Sequence, residues 1–104
     1  MYDCLHRLYD DFYRTDTKLV GLKPNVIVLI NYPMRTPYAK SFKRSELKTV
    51  SQVLDKVVQM YKHAYKNAMT TNPYGIWGHD MGDLTIGAVL VSKDGSQITV
   101  GVDS

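Results

Sequence analysis

Seven apolar residues, Leu47, Val50, Leu54, Val57, Tyr61, Ala64 and Ala68, recur at alternating gaps of three and four. On an α-helix that spacing places them along one stripe, while Lys48, Gln52, Asp55, Gln59, Lys62 and Lys66 fall on the opposite side. Val53, Val58, Met60, Tyr65 and Met69 widen the stripe. A wide stripe suits packing on a sheet better than the narrow seam of a two-helix coiled coil. The spacing therefore predicts one long helix with Ser45 or Thr49 as its starting cap and a fraying end over 67–72.

Around this helix the sequence predicts strands. Residues 25–31 read Asn-Val-Ile-Val-Leu-Ile-Asn, a continuous β-branched and apolar run between turn formers, as expected of a strand covered on both faces. Such a strand lies mid-sheet under two helices, or its outer face meets another chain. Two further β-rich runs, 84–91 and 97–102, flank Lys93-Asp94-Gly95-Ser96, and Asp-Gly between such runs is a hairpin signal. Gly87 and Gly101 interrupt the hairpin and mark expected bulges or close backbone approaches. At the amino end, Asp3 can cap a shorter helix carrying Leu5, Leu8, Tyr9 and Phe12 on one face.

The expected fold is a small α+β domain of order α-β-α-β-β. A three-stranded sheet with a carboxyl-terminal β-hairpin packs against the long helix and the shorter amino-terminal one. The first and second strands form a parallel crossover, or the first lies antiparallel beside the last. With 104 residues, 44% hydrophobic and 22% charged, residues 1–104 are expected to form a single domain. Segment 86–95, Ile-Gly-Ala-Val-Leu-Val-Ser-Lys-Asp-Gly, resembles the opening hairpin of zinc-dependent nucleoside deaminases. That family's metal site needs cysteines this chain lacks, so the resemblance implies a hairpin only.

Composition restricts the function classes. Cys4 is the only cysteine, which excludes an internal disulfide or a multi-cysteine zinc site and fits a reducing, cytoplasmic setting. No apolar run approaches the roughly 18 to 20 residues of a membrane span, so no membrane association is expected. The net charge of +3 and isoelectric point near 9.0 are a mild basic bias that leaves nucleic acid open without favouring it. No cofactor is expected and no catalytic constellation is spelled out.

Three groups of residues have the right chemistry for a site. The loops 32–44 and 74–83 are rich in aromatic and turn-forming residues, and Arg35, Tyr38, Tyr74, Trp77, His79 and Asp80 are the candidate contacts for a protein partner. Eight tyrosines in the chain add side chains with an apolar body and a polar tip. The alternative is a nucleic-acid surface made of Arg35, Lys40, Lys43, Arg44 and Lys48, cations for phosphates with Tyr32, Tyr38 and Phe42 interleaved for bases. A third possibility places a small enzyme or metal protein at His79, Asp80 and Asp83, where an imidazole and two carboxylates can share a proton or a cation. The favoured expectation is a non-catalytic protein-binding domain of the inhibitor, immunity or accessory type, as a monomer or homodimer.

Overall fold

The computed structural model describes residues 18–78 and 80–103. The expected amino-terminal helix lies outside them. Within them the order is β1 (Asn25–Ile30), β2 (Tyr38–Lys43), α1 (Val50–Ala68), β3 (Thr85–Val91) and β4 (Gln97–Asp103), with single 3-10 turns at Arg44–Glu46 and Met81–Asp83. The result is a small α+β domain with one long helix on a four-stranded mixed sheet of strand order β2-β1-β4-β3. No helix among the described residues is long and apolar enough to cross a membrane.

The expected count of three strands is corrected by β2, which falls inside the stretch that reads as a polar loop. Tyr-Ala-Lys-Ser-Phe-Lys buries only Phe42, because an edge strand has one neighbour and needs little apolar surface. It pairs antiparallel with β1, Val26 opposite Phe42 and Ile30 opposite Tyr38. The strand arrangement is corrected too. β1 does lie beside the last strand, β4, but runs parallel to it, with Val28 opposite Ile98 and Ile30 opposite Val100. The intervening edge strand reverses the chain once more than expected, which reverses the sense of this pairing.

Helix α1 begins at Thr49, whose hydroxyl accepts from the Gln52 amide at 3.3 Å. The Gln52 side-chain oxygen accepts in return from the Thr49 amide at 3.3 Å and also from the Lys48 amide at 2.7 Å. This reciprocal cap satisfies amides that have no partner within the helix. Val50, Val53, Leu54, Val57, Val58, Met60, Tyr61 and Ala64 are buried in one cluster with Val26, Val28 and Ile30 of β1 and Ile98, Val100 and Val102 of β4. Each such aliphatic side chain contributes about 1.5–3 kcal/mol by leaving water. The stripe is thus occupied by the chain's own sheet. β1 lies mid-sheet as expected, but only alternate residues are deeply buried; Ile27 points to the other face and is 44% exposed.

The hairpin β3–β4 forms over nearly the predicted residues. Its register shifts between Ile86 and Ala88, so Gly87 sits at the bulge the sequence anticipates. Gly101 lies opposite Ala88.

Candidate functional site

The segments 31–37 and 72–78 meet at the end of the sheet where β1 and α1 both finish. They run alongside each other as a short ladder. The Arg35 amide donates to the Gly75 carbonyl at 3.2 Å, the Thr36 amide to Tyr74 at 3.1 Å, and the Trp77 amide to Pro33 at 3.2 Å. Met34 and Ile76 form an antiparallel bridge at the centre. The loop 72–78 is held internally by Asn72, whose side-chain oxygen accepts from the Ile76 amide at 2.9 Å while its nitrogen donates to the Ile76 carbonyl at 3.1 Å. Gly75 has a positive φ of 62°, and a β-carbon there would lie 2.9 Å from that of Arg35. Only glycine lets the two backbones approach this closely.

This ladder is tied to the core from below. The Tyr61 hydroxyl, from the buried side of α1, donates to the Tyr32 carbonyl at 2.6 Å. Burial, and then the neighbouring Tyr65, push the Tyr61 phenol well above its usual pKa, so it stays a donor. The peptide bond between Tyr32 and Pro33 is cis.

Aromatic side chains cover the ladder. Tyr38 and Tyr74 stack with ring centroids 4.5 Å apart and planes 11° apart. Burial first, and then the adjoining Tyr74 phenol, raise the pKa of Tyr38. His63 of α1 lies 5.9 Å from the Tyr38 ring. On the other side Trp77 meets Tyr32 edge to face at 6.3 Å and remains 49% exposed. An aromatic plug for the end of the core would be buried; Trp77 instead presents much of its ring to solvent.

Four of the expected partner contacts, Arg35, Tyr38, Tyr74 and Trp77, are therefore gathered at one end of the molecule. Asp80 is exposed and follows directly. His79 lies outside the described residues. Asp80 and Asp83 both bear on Tyr65 of α1, whose pKa is pushed up to about 12 by burial first and then by these two carboxylates. Among the described residues no group of three or more His, Cys, Asp or Glu could hold a metal ion.

The five basic candidates are dispersed. Arg35 belongs to the ladder just described. Lys40 lies on the helix side of β2, with its ammonium 5.5 Å from the Phe42 ring centroid. Lys43 is exposed at the end of that strand, where its amide donates to Glu46 at 3.1 Å. Arg44 donates from its guanidinium to the Leu22 carbonyl at 3.1 Å, and Lys48 is exposed beside the helix cap. β2 from Tyr38 to Lys43 spans about 17 Å and stands between Arg35 and Lys43.

Sequence reasoning placed Tyr32 among the rings of the basic loop but not as the link between Trp77 and Tyr61, and it assigned no site role to the helix side chains Lys56, Gln59 and His63, which border β2. Their spacing of three and four did signal a shared helix face. What it faced depended on β2 being a strand. No family model, curated protein or solved structure matches the chain.

Proposed function

We propose that the protein is a non-catalytic binding domain, of the inhibitor, immunity or accessory type, that holds a protein partner on the aromatic platform made by segments 31–37 and 72–78. The observation that carries this reading is Trp77, half exposed on a backbone ladder that is itself tied to the helix through Tyr61. A large aromatic ring held in place before binding loses little conformational freedom on contact, and tryptophan, tyrosine and arginine supply most of the energy of protein interfaces. Tyr38, Tyr74 and Arg35 stand beside it. A chain with one cysteine also fits a reducing cytoplasm.

Protein is favoured over nucleic acid because the aromatic residues converge while the cations spread along the strand and around its end. Affinity capture from the native host, at low and high salt, with the native chain and Trp77→Ala in parallel, tests this. The expected result is a protein retained by the native chain at both salt concentrations and lost with Trp77→Ala, while the thermal unfolding of the two chains coincides. Retention of nucleic acid alone, released by salt, overturns the proposal, as does a partner indifferent to Trp77.

A further inference from the structure

We infer that the free edge of β2 accepts an acidic peptide in extended conformation, its carboxylates held between Lys40 and Lys56. The inference extends the protein-binding reading to a second contact, since β2 begins at Tyr38 of the platform.

The sheet has two edges, and they differ. β3 is broken by the register shift at Ile86/Ala88. β2 is regular, with all six residues in unbroken register with β1, and among the described residues no strand pairs with its outer side. Such an edge turns alternate amides and carbonyls outward, where an added strand can satisfy them.

Along this edge runs a groove of about 270 Å³ between β2 and α1, bordered by Tyr38, Lys40, Phe42, Lys56, Gln59 and His63, with no Asp or Glu in its lining. The ammonium groups of Lys40 and Lys56 lie 5.5 Å and 5.6 Å from the centroid of the same Phe42 ring. One comes from the strand and one from the helix, so both ammonium groups border the same ring. Among the described residues no carboxylate pairs with Lys40. Lys56 is half-buried and has the exposed Glu46 at 3.7 Å, a long contact that a bound acid can replace.

Side-chain alternation sets the occupant's pattern. Tyr38, Lys40 and Phe42 share the helix side of β2, so every second residue of a strand laid about 4.8 Å away stands over the groove. Acidic residues at those positions meet the two lysines. Lysine on an edge deters pairing with a second copy of the same strand, and the same charge selects a partner of opposite sign. A polyanion fits less well, because Glu46 and Asp55 line the adjoining depression and limit the positive strip to a short stretch.

The test titrates the full chain with a short N-acetylated peptide alternating Thr and Glu, with its Thr-Lys counterpart, and with oligothymidylate, following heat of binding and amide hydrogen exchange. The expected result is binding of the Glu peptide alone, with new protection at residues 38–43, weakened roughly tenfold or more by K40E/K56E, which in turn gains affinity for the Lys peptide. Equal binding of both peptides, protection elsewhere, or binding of oligothymidylate in place of the Glu peptide overturns it. The peptide comparison on the native chain needs no variant, so it stands even if K40E/K56E folds poorly. Trp77→Ala in the same titration separates the two proposals: it leaves Glu-peptide binding intact if the edge acts as inferred, whatever becomes of the platform.

Discussion

At one end of the sheet the chain reverses between β3 and β4 through residues 92–96, and at the other the ladder of 31–37 and 72–78 closes over the finish of β1 and α1. The first connection is polar and satisfied by its own atoms. One oxygen of Asp94 accepts from the Ser92 hydroxyl at 2.8 Å, the Ser96 hydroxyl at 2.7 Å and the Ser96 amide at 3.0 Å. Lys23 adds an exposed ion pair at 3.8 Å and takes a backbone bond from its amide to Gly95. The platform is aromatic: Tyr32, Tyr38 and Tyr74 are partly buried against the core, and Trp77 is 49% exposed. The turn's chemistry is accounted for by the fold, whereas at the platform Trp77 keeps apolar surface that the core does not cover.

The largest expected effect lies at the turn. Gly95 has a φ of 74°, and a β-carbon there would collide with the backbone carbonyl of Gly21. Gly95→Ala is expected to cost about 3 kcal/mol or more in urea unfolding, from left-handed strain plus displaced backbone. Gly75→Ala, at the platform, meets the Arg35 β-carbon at 2.9 Å, a less severe overlap than at Gly95, and is expected to cost about 2 kcal/mol. Equal losses at the two glycines would remove the distinction drawn between the ends.

Acid sharpens the comparison. Hydrogen bonds from Ser96 and Ser92, with Lys23 adding a smaller pull, hold the Asp94 carboxyl far below the usual carboxylate range. A folded-state pKa below the unfolded value stabilises the fold fully above pH about 4 and is lost as pH falls toward the depressed value. Melting temperature is therefore expected to drop from pH 4 downward, with a shallower drop for Asp94→Asn; identical slopes would deny the turn its role. The smallest stability effect is expected for Trp77→Ala, about 0.5 kcal/mol in the same unfolding assay, alongside a loss of roughly 2 kcal/mol in partner affinity. A variant that unfolds far more easily would make Trp77 a core residue and leave the platform without its anchor.

Much of the fold was legible because its signals are local. Thr49 is one of the two helix caps the sequence offers, Asp94-Gly95 marks the hairpin turn and Gly87 an irregularity in it, each through chemistry confined to a few neighbouring residues. β2 was not legible. An edge strand with one buried side chain has the composition of a loop, and its pairing with β1 is a contact between segments, not a pattern within one. For the platform, the aromatic residues could be picked out one by one, but nothing local states that Gly75 must admit the stem of Arg35 or that Tyr61 reaches the carbonyl of Tyr32.

By itself the sequence determined one long helix between a cap at Ser45 or Thr49 and an end at 67–72, the face it buries, β1 and the closing hairpin, because periodicity and turn chemistry act over a handful of residues. Only the tertiary structure decided that β1 runs parallel to β4, that β2 is an edge, and that Tyr38 stacks on Tyr74 while Lys40 and Lys56 share one ring. Those outcomes depend on which surfaces meet when the helix stripe leaves water. The energy of that burial is spread over the whole core and is written at no single position.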